Sequence, residues 1–174
     1  MSDLIVKKGG LPKTVAVNEL KQFVSVTIAG QLFGIPVLMV HDVLAAQRIT
    51  HIPLAPREVA GSLNLRGRIV TAIDVRLRLG LDRRPQDQPG MSVVVEHGGE
   101  LYSLMVDSVG EVLNLSDEDF ERHPPTLDPL WREMSNGIYR LNDKLLIVLD
   151  VEHLLNFSHA AGAAAGLAGA VSVR

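Results

Sequence analysis

The sequence predicts an all-β fold built from two barrels of about five strands each. Three observations carry this reading. One passage is written twice. Gly30–Val37 with Val40–Leu44 returns as Gly99–Val106 with Val109–Leu113, matching Leu32 to Leu101, Phe33 to Tyr102 and Asp42 to Glu111. A second pair, Ile69–Val75 and Leu145–Val151, follows in the same order. Short apolar runs alternate with turn residues at close spacing, the pattern of a barrel or sandwich. The chain has 174 residues and is 47% hydrophobic, enough for a real core at this size.

Taken in order, residues 1–19 show no period and read as a flexible leader. Val24, Val26 and Ile28 alternate with Ser25, Thr27 and Ala29, the period of a half-buried strand. Gly30-Gln31 is a turn signal, and Leu32–Val37 returns. Val37–Leu44 is rich in β-branched and aliphatic residues and reads as a third strand, with a short helix as the alternative. Two prolines in His51–Pro56 exclude regular structure there. Arg57–Ser62 suits one helical turn. Leu63–Leu65 and Arg68–Ile73 flank a hairpin tip at Arg66-Gly67, and a short helix over Val75–Leu79 closes at Gly80. Polar, proline-bearing Leu81–Gly90 separates the halves.

The second half repeats the plan, with strands over Ser92–Glu96, Glu100–Val106 and Val109–Leu115. Ser116 and the acids after it suit a helix N-terminus. A loop holds Pro124, Pro125 and Pro129. A hairpin pairs Ile138–Arg140 with Leu145–Leu149, and a short helix spans Val151–Asn156. The offset between the copies grows from 69 to 76 residues. The extra residues fit in Asp117–Trp131. The expected domain covers 20–156, with halves of approximately 20–80 and 91–156. An Ala/Gly-rich tail over 157–174 reads as a frayed helix.

Chemistry is sparse. There are no cysteines, which excludes disulfides and thiolate metal sites. The six histidines never fall at metal-helix spacing, and no phosphate loop, dinucleotide loop or nucleophile elbow is present. We therefore expect no enzyme, no metal and no cofactor. No signal peptide or apolar span is apparent, so a cytoplasmic protein is expected. Asp74 and Asp150 stand at equivalent positions before short helices and read as N-caps. Arg66, Arg68, Arg76, Arg78, Arg83 and Arg84 suggest a nucleic-acid surface as the alternative function. Asp74 and Asp82 interrupt that group, and aromatics are only 4%, too few for a stacking platform.

Several runs resemble the CheW family of bacterial chemotaxis adaptors. They are Val40-His41-Asp42-Val43, then Ile52-Pro53-Leu54-Ala55-Pro56-Arg57-Glu58-Val59-Ala60-Gly61, then Asn64-Leu65-Arg66-Gly67 with Asp74. Val106–Val112 adds a match in the second half, and the likeness spans about Gln22 to Asn156. It implies two intertwined SH3-like five-stranded barrels with short helices. It also implies a non-catalytic scaffold that joins chemoreceptor tips to the histidine kinase CheA at membrane-associated receptor arrays. By resemblance, Val37, Val40, Asp42 and Arg66 from one barrel and Val109 and Val112 from the other line a receptor groove. Leu44, Ala60, Gly61 and Asn64 would meet the kinase. Two departures stand out: Asp42 replaces the usual Glu, and Thr71-Ala72 stands where a Pro is common.

Overall fold

The computed structural model describes Leu20–Phe157. The leader lies outside the described residues, as does the tail beyond Phe157. Phe157 itself packs against the main core beneath the Arg78 guanidinium, 4.8 Å from its ring centre.

Eleven strands are described: β1 (Leu20–Ile28), β2 (Gln31–Pro36), β3 (Val40–Ala45), β4 (Val59–Leu65), β5 (Arg68–Asp74), β6 (Met91–His97), β7 (Glu100–Val106), β8 (Ser108–Ser116), β9 (Phe120–Glu121), β10 (Ser135–Arg140) and β11 (Leu145–Leu149). Short helices α1 (Val75–Arg78), α2 (Pro129–Glu133) and α3 (Val151–Leu155) complete them. One sheet runs β3-β6-β7-β5-β4 and the other β8-β1-β2-β11-β10-β9. The sheets do not follow the two halves of the sequence. Each half lends its first hairpin to the other's sheet.

The exchange is reciprocal. β5 lies parallel to β7, with Thr71 opposite Tyr102. β11 lies parallel to β2, with Ile147 opposite Phe33. These are the same pair of repeat positions, with the donor half swapped. Parallel neighbours need a crossover connection, and here each crossover runs through the other barrel.

Each sheet closes on itself by bending one strand. Beyond β3, Thr50 reaches across to Ser62 of β4 through two backbone bonds of 2.8 Å. Beyond β8, a single 3-10 turn over Asp117–Asp119 leads into β9, which pairs with β10. Counting each bent strand once, both barrels have five strands. Closure removes open sheet edges.

The apolar residues sort into three clusters. Leu63, Val70, Ala72, Val94 and Leu101 fill the barrel of β3 to β7. Phe23, Tyr139, Leu146 and Val148 fill the other. The largest cluster draws on both sheets, including Val26, Phe33, Ile73, Val93, Leu104 and Ile147, so it lies between the barrels. β6 is therefore buried on both faces: Val93 and Val95 face the shared core, and Val94 faces its own barrel. That explains an uninterrupted valine run in place of alternation.

Three local expectations change. Val37–Met39 is a 3-10 turn, and β3 begins only at Val40. Arg57–Ser62 is not helical, because β4 starts at Val59 and pairs with Ile73 through Leu65 with Arg68. A six-pair ladder outweighs a weak local helical preference. The acidic Asp117–Asp119 segment stops after one turn, capped by Ser116. Asp74 and Asp150 are N-caps, accepting bonds from the amides of Leu77 and His153.

Candidate functional site on the barrel edges

The V-x-[DE]-V segments occupy equivalent strands, β3 and β8. Each carries a register shift there, at Val40/Asp42 and opposite Val24/Val26. A bulge turns the side chains that follow it. Val40 and Val109 become half-buried supports of the shared core, as does Val37 on the preceding turn. Val112 stays 49% exposed. Asp42 is half-buried, and one of its oxygens accepts from the Val43 amide at 2.8 Å.

The β4–β5 hairpin brings Arg66 to Asp42. Both central residues of its tip have positive φ, +53° at Arg66 and +86° at Gly67, as a two-residue hairpin turn requires. The Asn64 side chain accepts from the Gly67 amide at 2.9 Å and holds the turn. Arg66 then reaches Asp42 at 3.0 Å, although its side chain is 72% exposed. A branched-out cation at a left-handed position costs about 1 kcal/mol over glycine. The sequence pointed to both residues but not to their contact, which joins strands at opposite edges of one sheet.

The residues expected to meet the kinase differ in kind. Leu44 and Ala60 are half-buried and support the interior of the first barrel. Asn64 is exposed but engaged in the turn. Ala60-Gly61 is no exposed turn. It lies inside β4, Gly61 is buried, and its missing Cβ would lie within 2.8 Å of the Thr50 carbonyl carbon. The β4 edge at Ser62 is likewise covered by Thr50.

The arginine group does not form one surface. Arg76 clamps Asp107 with two bonds, 2.9 and 2.7 Å. Arg78 is 3% exposed and donates to the carbonyls of Leu154, His153 and Asn156 at the end of α3. Burial depresses its pKa, partly offset by Glu58 and Glu133. Arg84 bonds the Gln88 carbonyl. Arg68 and Arg83 alone remain exposed without such anchors. Sequence reasoning missed Arg78 as a structural residue, since nothing local marks a guanidinium that caps a helix 76 residues away.

One Ser–His contact needs chemical reading. His123 Nε2 lies 2.9 Å from Ser135 Oγ, yet that hydroxyl also lies 2.6 Å from the Trp131 carbonyl. A carbonyl only accepts, so it takes the hydroxyl proton, and His123 Nε2–H must be the donor to Oγ. Ser135 is buried at 6% exposure and is held as a strut, not as an activated nucleophile. Among the described residues, no group of three or more His, Asp or Glu is placed to hold a metal. No described helix is long and apolar enough to cross a membrane.

The CheW-like domain profile matches residues 22–159. The chain belongs to the CheW-like domain family. Among curated relatives of this CheW-like chain, chemotaxis protein CheW of Helicobacter pylori is 29% identical over 138 residues, covering 79% of this chain and 83% of that one. Chemotaxis protein CheW of Klebsiella aerogenes is also 29% identical, with coverage of 78% and 82%. Protein PilI of Pseudomonas aeruginosa is 25% identical over 138 residues, covering 79% and 78%. The crystal structure of scaffolding protein TtCheW from Thermoanaerobacter tengcongensis superposes with a TM-score of 0.70 at 32% identity, covering 78% of this chain and 92% of that one. The interleaved CheW-like barrels derived above from hydrogen-bond pairing thus match a solved scaffold.

Proposed function

We propose that this chain is a non-catalytic chemotaxis adaptor. It couples the cytoplasmic tips of chemoreceptors to the histidine kinase CheA and works at membrane-associated receptor arrays. Family membership supports the class. The observation that carries the receptor assignment is Arg66: an exposed cation kept at a left-handed tip and oriented by Asp42. Strain held at a surface position points to a binding role. A guanidinium whose second edge is free can fork onto a receptor carboxylate.

In this reading Val37, Val40 and Val109 set the seam between the barrels, and Val112 offers exposed apolar surface beside it. The kinase meets the first barrel near Leu44, Ala60, Gly61 and Asn64. Gly61 acts there by permitting closure, not by touching the partner.

A pull-down with a CheA-type kinase and a receptor signalling fragment tests the class, and a ternary complex is the expected result. Arg66→Asn tests the site, because Asn tolerates the left-handed turn. That variant should melt within a few degrees of the parent and lose receptor retention. Unchanged receptor retention would sink the Arg66 assignment while leaving the adaptor class to the pull-down.

A further inference from the structure

The Asp117–Trp131 stretch, longer in the second copy, borders a surface that shares only Val37 with the adaptor roles above. On one side of Phe120 lies an apolar groove of about 700 Å³, lined by Leu20, Phe23, Val37, Leu38, Tyr139 and Val148 among others. Leu38 is fully exposed at its rim, and Leu20 and Phe120 are 43% and 39% exposed. Exposed apolar side chains gathered in one concavity mark an interaction site. On the other side of Phe120 lies a shallow depression of about 480 Å³, lined by Arg122, His123, Pro125, Arg132 and Asn136. Phe120 and Asn136 belong to both, so the two are continuous.

The charges decide what fits. In the groove, Lys21 and Asp117 neutralise each other at 3.3 Å. In the depression no carboxylate is present among the lining residues. Arg132 is braced by the Pro125 and Leu127 carbonyls at 3.2 and 3.0 Å. Those partners are neutral, and Arg132 has no ion pair among the described residues. Arg122 is exposed and has no ion pair among the described residues. Asp117 lines the groove, and Glu118 and Asp119 follow it in the same turn, which sets a direction: partner carboxylates belong at the arginine end.

The geometry points to a docking surface for a peptide segment that places a bulky apolar side chain against Phe120 and Leu38 and sets carboxylates on Arg122 and Arg132. The preformed groove supplies the anchor and the arginines supply the register. The surface is distinct from the Asp42–Arg66 edge.

Fluorescence anisotropy on the full chain tests this, using a fluorescein-labelled peptide with a leucine-phenylalanine pair followed by three glutamates. Saturable binding is expected, weakened about tenfold by Arg122→Glu and again by Leu38→Asp. Both residues are exposed, and an unchanged melting profile will verify the fold of each variant. The same peptide with glutamine in place of glutamate should bind markedly less. Equal binding of the two peptides, equal binding by Arg122→Glu, or no binding at all overturns the proposal. Displacement by inorganic phosphate at the peptide's own concentration would reveal a simple anion site and overturn it too.

Discussion

Gly61 and Gly137 are the same residue of the repeat, and each is the point where a barrel closes. Both lie in β-bulges, at Val59/Gly61 and Ser135/Gly137. At Gly61 the Thr50 backbone occupies the space of a Cβ; at Gly137 the Phe120 ring does, with the Glu121 carbonyl oxygen 2.7 Å from that position. Gly61→Ala and Gly137→Ala should each destabilise by about 1–3 kcal/mol, because the obstacle is a closing strand that cannot swing aside. Gly67→Ala meets nothing within 4 Å and should cost only about 1 kcal/mol for its positive φ. Urea unfolding of the three variants checks the order. Equal losses would refute the closure argument.

Arg78 should matter more to stability than any exposed arginine. Its guanidinium satisfies three carbonyls at the end of α3 and covers Phe157. Arg78→Met keeps the apolar stem but leaves those carbonyls without their donors. A loss of about 3 kcal/mol is expected. Arg78→Lys should recover only part of it, since one ammonium cannot reproduce the fork. Thermal melts of both variants are the measurement.

The Arg76–Asp107 clamp predicts a pH dependence. Burial tends to raise the Asp107 pKa. The Arg76 hydrogen bonds, the Ala29 amide and the charges of Arg76 and Arg84 outweigh it, and the carboxyl sits below its ordinary 3.8. A depressed folded-state pKa means stability that is present above the unfolded value and lost as pH falls through the folded one. Asp107→Asn should therefore cost about 1–2 kcal/mol near neutral pH. The gap to the parent should be flat above about pH 5 and shrink below about pH 4. A gap that widened on acidification would contradict the assignment.

Ser103 is the opposite case. It is fully buried in β7, and its hydroxyl has no hydrogen-bond partner among the described residues. Removing an unpaired buried polar group relieves its desolvation cost. Ser103→Ala should leave stability unchanged or raise it by about 1 kcal/mol, read from the urea midpoint.

Much of this was readable from residues alone. Alternation at Val24–Ile28 announced a strand; the turn expected at Gly30-Gln31 falls one residue earlier, at Ala29-Gly30, the equivalent of Gly98-Gly99, all at positive φ. Asp74 and Asp150 were readable as caps because an N-cap is satisfied within three residues. The helical turn expected at Arg57–Ser62 failed for the converse reason: its conformation is set by β5 and by Thr50, not by its own preferences.

The amino-acid sequence by itself determined the repeat, the strand content and the neighbourhood of the turns. These follow from local sterics and periodicity, which act over a few residues, whereas Asp42 and Arg66 came forward as candidate contacts through the family resemblance. Only the tertiary structure decided which half supplies each strand, where the barrels close, and that Asp42 and Arg66 meet. It also turned Gly61 from a surface expectation into a closure point and Arg78 from a surface cation into a buried brace. The physical reason is common to all of them. Parallel pairing, barrel closure and a helix cap 76 residues away depend on long-range contacts whose partners no local pattern encodes.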